Sequence, residues 1–595
     1  MKGDVFDFAL LAILGQRIET IAREVMTVMV RSARSVMINT SRDFSTGILT
    51  GDGRLLAVAE GLPIHAVNMH ITLKPILEFF KGDINQGDIF LNNCPYTGST
   101  HTGDIAIICP VFYEDELIFW VMNRAHQADM GFPLPTTYLP GPEGDDIYKE
   151  GVQLPCVRVQ QNYREIRDVI RMCTMKIRAS EVWYGDYLAQ VGSVRIGERM
   201  LTELCKKYGK DTVKKFVEEW FNYSSRKTTE DICRLPKGAW LGECAMDPKD
   251  FAPEGILIKA KVTIDPDEAM IVVDFTDSSN QVPAGLNMTE ACSYACGVIP
   301  LFTFLNPTIP HNDGLLRHIR VVLREGSIAG IPRYPVGTSL ATLSAFVTAI
   351  HAVIAALRKV DIKRASADGG RTGIDVPVIS GIDQRNSKIY QHQVFFCLCG
   401  GPARMGHDGW GAQFGGLSGL GATYKESVEI HELRFPHIVK KVEVITDSFA
   451  PGKWRSGASI RSVLIPRWKP FLLANLGEGK VIGSKGAAGG RDGSFPSSRV
   501  IDAISGKILR DLPFCGMSEV RPGEGWECSN SGPAGYGDPL ERDPGKVRWD
   551  VREGLVSLRS AREDYGVAIN IEPELYEVDY PATEKLREEL KRKRA

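Results

Sequence analysis

Two apolar runs, Ile105 to Phe112 and Leu117 to Asn123, stand either side of the acidic tetrapeptide Tyr113-Glu114-Asp115-Glu116. Short apolar runs bounded by turn residues predict a β-hairpin. The hairpin has a geometric consequence. With its turn near 113 to 116, an antiparallel return places residue 126 close to opposite residue 104. His126 is thereby carried back beside His101 and Asp104, which stand three apart on a glycine-containing turn entering the first strand.

Two imidazoles and a carboxylate at one sheet end can hold a divalent metal with coordination positions left open. Zinc, manganese and iron all accept such a set, and a rising share of oxygen ligands favours manganese or iron. His101, Asp104 and His126 are therefore the candidate metal ligands. Asp129 is a candidate fourth ligand, or an acceptor that holds one imidazole in the right tautomer. The rival reading is a pair of hydrogen-bonded core histidines. Spacing alone favours that rival, because His-x-x-Asp followed by a distant histidine is not a specific pattern. His65 and His70, in GLPIHAVNMH, fall near a helix start and are candidate catalytic proton carriers at the same site. His311, His407, His431 and His437 lie in turn-like text and read as structural or surface residues.

The rest of the chain predicts a large α+β fold, a mixed α/β multi-layer architecture with hairpin-rich and glycine-rich segments and an N-terminal helix. Ile18, Ile21, Ala22, Val25 and Met29 recur at helical spacing within a helix expected from about 5 to 36. Gly47-Ile48-Leu49 and Leu55 to Val58 flank a Gly51-Asp52-Gly53 turn, a second hairpin signal. Helical periodicity is read from about 161 to 220. Strand-like runs follow at Ile256 to Ile264 and Ala269 to Phe275, then an apolar helix around Ser344 to Leu357. Residues 400 to 540 are rich in glycine without a repeat period, which predicts many turns in a β-rich region. The basic end, EKLREELKRKRA, predicts a surface helix. The expected units are 1–235 with the metal site, 236–395, a glycine-rich 396–566, and a charged tail at 567–595.

Several function classes are excluded by what the chain lacks. Its net charge is -2 over 595 residues, with no basic footprint for nucleic acid or a membrane surface. No stretch reaches the roughly 18 apolar residues needed to cross a bilayer, and Asp4 and Asp7 make the start a poor signal peptide. A cytoplasmic protein is expected. The thirteen cysteines are odd in number and scattered, which argues against a secreted disulfide framework. The close pairs Cys292/Cys296 and Cys397/Cys399 read as buried structural thiols. There is no G-x-S-x-G elbow. GEGKVIGSKGAAGG lacks the Gly-Lys-Ser/Thr ending of a phosphate loop, so ATP binding is not expected in this chain.

Seven blocks in order resemble the hydantoinase B/oxoprolinase family: RSARSVMINTSRDFSTGILTGDGRLLAVAEGLPIH (31 to 65), HTGDIAIICPVF (101 to 112), HQADMGF (126 to 132), DFTDSSNQVPAGLN (274 to 287), HNDGLLRHIRVVLREGSI (311 to 328), GGPARMGHDGWGA (400 to 412) and GPAGYGDPLERDPGKVRWDVREGLVS (532 to 557). The resemblance implies a subunit that works with a hydantoinase A-like ATPase of the sugar-kinase-like fold, and leaves open a small third subunit. One branch of the family opens cyclic amides such as hydantoins, 5-oxoproline or lactams with ATP. The other carboxylates ketones, as in acetone and acetophenone carboxylase, and takes bicarbonate. The compact length leans toward ring opening, with a small-molecule substrate; a non-catalytic scaffold subunit is the remaining alternative. In carboxylase-like members a His-x-x-Asp and a later histidine hold a metal, and His101, Asp104 and His126 match that order. Where many members read Asp-Ile-Gly-Gly, this chain has Asp129-Met130-Gly131-Phe132.

Overall fold

The computed structural model describes residues 6–59, 61–372, 376–411, 423–571 and 576–594. Residues 412 to 422, which take in most of the glycine-rich run GWGAQFGGLSGLG, lie outside the described residues.

The predicted hairpin forms the middle of a seven-stranded sheet. β1 (Phe44–Thr50), β2 (Leu55–Val58), β3 (Ile89–Asn92), β4 (Asp104–Tyr113), β5 (Glu116–His126), β6 (Val157–Gln161) and β7 (Arg164–Glu165) assemble in the order β2-β1-β5-β4-β3-β6-β7. β4 and β5 turn at Glu114 and Asp115, both with positive φ, 50° and 58°, the pairing that matches strand twist in a two-residue hairpin. Asp104 pairs with His126, as the turn position requires. β1 then pairs with β5, Phe44 opposite Ala125. That non-local contact decides which other residues reach the end of the sheet.

Both faces of this sheet are covered, which is why β4 reads as an almost unbroken apolar run. Ile105, Ile107, Cys109 and Val111 pack with the helices α1 (Phe8–Ser32) and α2 (Ser180–Tyr208), through Leu14, Ile18, Val25, Val194 and Leu201. Ala106, Ile108, Trp120 and Met122 face the opposite way into the largest core. That core also takes in a four-stranded sheet of Gly238–Ala245, Leu257–Asp265, Met270–Asp274 and Ile319–Val322, and the apolar helix α3 (Ser344–Val360). A slip of one residue in β4 would exchange the two cores, so its register is strongly specified.

The glycine-rich region supplies a five-stranded sheet and, with the preceding strands Val378–Asp383 and Lys388–Gln393, completes a four-stranded one. Cys292, Cys296, Cys397 and Cys399 are buried. The Cys397 and Cys528 sulfurs are 2.9 Å apart. The end of the chain is helical over Tyr580–Arg594. Among the described residues no helix is long and apolar enough to cross a membrane.

Candidate metal centre

The cluster sits at the end of the hairpin opposite its turn. His101 Nε2 lies 3.1 Å from Asp104 Oδ1, His126 Nδ1 lies 3.0 Å from the same oxygen, and the two nitrogens are 3.2 Å apart. These three atoms form a triangle with sides near 3 Å, the spacing of atoms bound to one ion at ligand distances of about 2.1 Å. All three side chains are buried. His65 closes the group from the helical turn Pro63–Ala66, its Nε2 3.1 Å from Asp104 Oδ2, with Thr100 Oγ1 donating to that oxygen at 2.5 Å.

Hydrogen bonds set the tautomers. His101 Nδ1 donates to the Ser339 carbonyl at 2.9 Å, so Nε2 is the nitrogen turned to Asp104, carrying a proton toward the carboxylate that a bound cation would displace. His126 Nε2 faces Thr137 Oγ1 at 3.3 Å and the Tyr138 hydroxyl at 3.4 Å, leaving Nδ1 on the cluster side. Burial works to raise the Asp104 carboxyl, but His101 and His65, with hydrogen bonds from His101 and His126, hold it well below the usual range. Burial lowers the His101 imidazole, and Asp104 more than reverses that. A buried carboxylate kept ionised among imidazoles is a donor set suited to a divalent cation.

Four further groups belong to the site, and sequence reading did not find them. Asp43, just before β1, lines the same cavity of about 30 Å³ as His65, His101, Asp104, His126 and Tyr138, room for a water-sized group. Burial raises its carboxyl against the pull of His126 and His65, and its carbonyl accepts the His126 N–H at 3.1 Å. Glu150 accepts from Thr102 Oγ1 at 3.0 Å and from the Thr338 N–H, one residue before the carbonyl that orients His101. Burial pushes Glu150 up to about 7. Arg124 lies fully buried beneath the cluster, donating to Asn68 Oδ1 at 2.6 Å and to Thr72. Tyr138 stacks on both His101 and His126, at 5.6 and 5.4 Å between ring centres. Asp43 had a recoverable signal, since it precedes a strand whose pairing with β5 would place it beside His126. Arg124 had one too, two residues before His126 on β5 and so on the same face; Tyr138 and Glu150 come from the irregular segment that follows β5.

Asp129 and His70 stand apart from the cluster. The Asp129 carboxylate accepts the backbone N–H groups of Gly131 at 2.9 Å, Arg178 at 2.6 Å and Ala179 at 3.1 Å, and lies 3.5 Å from the Arg178 guanidinium. It holds the chain at the start of α2, and the fourth group at the cluster is His65. Phe132 is buried in the core on the helix side of the sheet rather than in the cavity wall. His70 packs edge-on against Tyr294 with ring centres 5.1 Å apart.

Burial pushes His70 down to about 4, as it does His311 and His351. The native state then binds fewer protons than the unfolded chain between pH 6.5 and 4, so stability present above 6.5 is lost as pH falls through that window. Each such group contributes up to about 3 kcal/mol at the acid end, at about 1.4 kcal/mol per pH unit. Denaturant titrations at pH 7 and pH 5 should show this loss, and His70→Gln should lessen it while leaving the pH–rate profile near neutrality unchanged.

Gly103 is a cradle for the two rings. A Cβ there would fall 2.6 Å from His101 Cε1 and 2.7 Å from His126 Cε1. Both rings would have to swing. Gly103→Ala should weaken divalent-metal binding by on the order of 10- to 100-fold, the usual effect of misplacing ligands, as read by competition with a chromophoric chelator.

A larger pocket of about 610 Å³ adjoins the cluster, with Leu62 lining both spaces. Arg42 and Tyr424 line the outer pocket while their chain neighbours Asp43 and Thr423 line the inner one. Arg42 adopts a left-handed backbone, φ 57°, and its guanidinium lies 4.1 Å over the Tyr424 ring. Strained backbone of this kind clusters where a side chain must be aimed. The loop at Gly477 to Gly490 has another use for its amides. The N–H groups of Lys480, Val481 and Ile482 donate to the Asp247 carboxylate at 2.8 to 3.2 Å, so a side chain already fills that nest.

Fold and site together define a mixed α+β chain whose largest sheet ends in a buried imidazole–carboxylate cluster beside a substrate-sized pocket. The chain belongs to the hydantoinase B/oxoprolinase family, whose sequence profile matches residues 7–539. Over 569 residues, 94% of this chain and 96% of the relative, it is 30% identical to caprolactamase subunit beta of Pseudomonas jessenii. It is also similar to the crystal structure of the ATP-dependent caprolactamase from Pseudomonas jessenii, with a TM-score of 0.87 over 98% of this chain and 100% of that one at 28% identity. The nucleotide-free structure of acetone carboxylase shares the fold, with a TM-score of 0.88 over 98% of this chain and 83% of that one at 21% identity.

Proposed function

We propose that this chain is the hydantoinase B-type subunit of a cytoplasmic, heteromeric, ATP-dependent enzyme that opens a cyclic amide, a lactam, hydantoin or oxoproline ring. The observation that carries the reading is the buried triangle of His101, Asp104 and His126 beside a pocket of about 610 Å³. That volume is in the range of small-molecule sites. The likeness to a caprolactamase beta subunit along nearly the whole chain supports the amide class and a partner subunit. ATP is handled by a hydantoinase A-like ATPase subunit, whether or not a small third subunit joins the complex.

His101, Asp104 and His126 would hold a divalent metal, zinc, manganese or iron, with Asp43 at the same cavity. Such an ion supplies Lewis acidity toward a carbonyl or acyl oxygen and brings bound water toward a pKa of about 7. The chain's own groups do the positioning. The Ser339 carbonyl, an obligate acceptor, fixes the His101 tautomer, and the Thr137 hydroxyl can accept from His126 Nε2 and so leave Nδ1 for the cluster. Tyr138, whose hydroxyl burial keeps well above its ordinary pKa, remains a hydrogen-bond donor at neutral pH. His65 can hold or pass a proton at Nε2, beside Asp104 Oδ2. The apolar walls and small inner volume exclude bulk water from the cluster.

The second reading is ketone carboxylation with bicarbonate, favoured by the shared fold with acetone carboxylase. Co-expression with the ATPase subunit and incubation with ATP separates the two. The proposal expects an amino acid from each lactam and from oxoproline, and an N-carbamoyl amino acid from each hydantoin. Stable incorporation of labelled bicarbonate into an organic acid from a ketone panel, with no ring opening, would overturn it. A complex fully active after His101→Ala would point to a scaffold subunit.

A further inference from the structure

Behind the wall of the first cavity lies a second buried cluster. On the strand Lys388–Gln393, Gln393 lines the first cavity while His392 faces the other way. In the next segment Thr423 lines that cavity, and Glu426 joins His392. Glu426 Oε2 lies 2.8 Å from His392 Nε2 and 3.0 Å from His431 Nδ1, and the three ligand atoms all fall within 4.8 Å of one another. All three side chains are buried.

Outer partners contact each of two ligands. Glu426 Oε1 accepts the Phe395 N–H at 3.0 Å, and His431 Nε2 lies 3.1 Å from His437 Nδ1. His437 Nε2 is in turn 2.9 Å from the Tyr390 hydroxyl. This chain can run in either direction. If His431 carries its proton on Nδ1, it donates to Glu426, and Tyr390 and His437 donate toward His431. If the proton moves to Nε2, His431 donates to His437, His437 donates to Tyr390, and the Nδ1 lone pair faces the cluster. The second arrangement is the one in which metal-bound histidines are usually held.

Charge favours it too. Among the described residues, the only groups within ion-pair distance of Glu426 are His392 and His431. Burial lowers the His392 and His437 imidazoles, while the neighbouring imidazoles hold Glu426 far below its ordinary range. A buried carboxylate with only imidazoles for company is a donor set that a divalent cation would satisfy.

We propose that His392, Glu426 and His431 form a second, structural site for a divalent metal such as zinc. Two imidazoles and a carboxylate without thiolate are one of the recurrent zinc sets. The ion would tie the strand Lys388–Gln393 to the segment entering the helix Val428–Arg434, and so hold Gln393 and Thr423 against the first cavity. The site stands independently of the proposed reaction.

The test is zinc titration of the chelator-stripped full chain, with bound metal measured by elemental analysis. Wild type should bind two equivalents. Glu426→Gln, close in shape and still a hydrogen-bond acceptor, should bind one, and so should His101→Ala. In the His101→Ala background the remaining zinc should show two imidazoles and a carboxylate oxygen in X-ray absorption. One equivalent in wild type that His101→Ala removes, or two equivalents undiminished by Glu426→Gln, would overturn the proposal and leave a hydrogen-bonded network. One equivalent lost only in Glu426→Gln would uphold it and sink the first site instead.

Discussion

Replacing Asp104 with alanine should lower kcat/KM of the complex by on the order of 10³, the several kcal/mol that metal polarisation supplies. Asp104 is the residue on which three histidines converge, His101 and His126 at one oxygen and His65 at the other, at 3.0 to 3.1 Å. Without it, three buried imidazoles lose their common acceptor and the cavity loses a carboxylate. Asp104→Asn is the sharper variant, because it keeps the shape and the hydrogen bond from Thr100 while removing the charge. Metal content and turnover should fall together in both variants. Steady-state kinetics beside elemental analysis reads this directly. Full turnover in Asp104→Asn would contradict it.

The largest effect on stability is expected far from the site. Asp550 joins two guanidinium groups, accepting from Arg455 Nε and from Arg542 Nη2, each at 3.0 Å. Arg542 also binds Asp408 through both terminal nitrogens, at 2.7 and 2.9 Å. Arg542 and Asp550 are each 1% exposed, and Arg455 9%. Removing one partner of a buried network strands the others in a medium that cannot solvate them, at about 3–5 kcal/mol. Asp550→Ala should therefore shift the urea midpoint strongly downward, with no change in metal binding at the hairpin cluster. A shift no larger than that of an exposed substitution, about 0.5 kcal/mol, would show that water reaches these groups.

The sequence made the hairpin legible because its information is local. Two apolar runs and an acidic turn specify a register, and the register brings Asp104 to His126. The helices α1 and α3 were legible for the same reason, each carrying its own period. What lay beyond local pattern was the company the cluster keeps. Asp43 reaches it because β1 pairs with β5, some 80 residues further on. Ser339, Gln393 and Thr423 come from segments more than 200 residues away, and nothing in their own spacing marks them. Asp129 illustrates the opposite failing. Nearness in sequence suggested the cluster, but the chain leaves the sheet after His126, and the carboxylate turns to the amides of Arg178 and Ala179. His392 and Glu426 stand in text with no metal-like spacing, because their meeting depends on a strand and a loop from different parts of the chain.

The central claim is that the end of the β4–β5 hairpin holds a metal. An anomalous difference map, collected at the absorption edge of the bound element from crystals of the intact complex, tests it most directly. The account predicts a peak about 2.0–2.2 Å from His101 Nε2, Asp104 and His126 Nδ1. A map with density for all three side chains and no peak between them would contradict it.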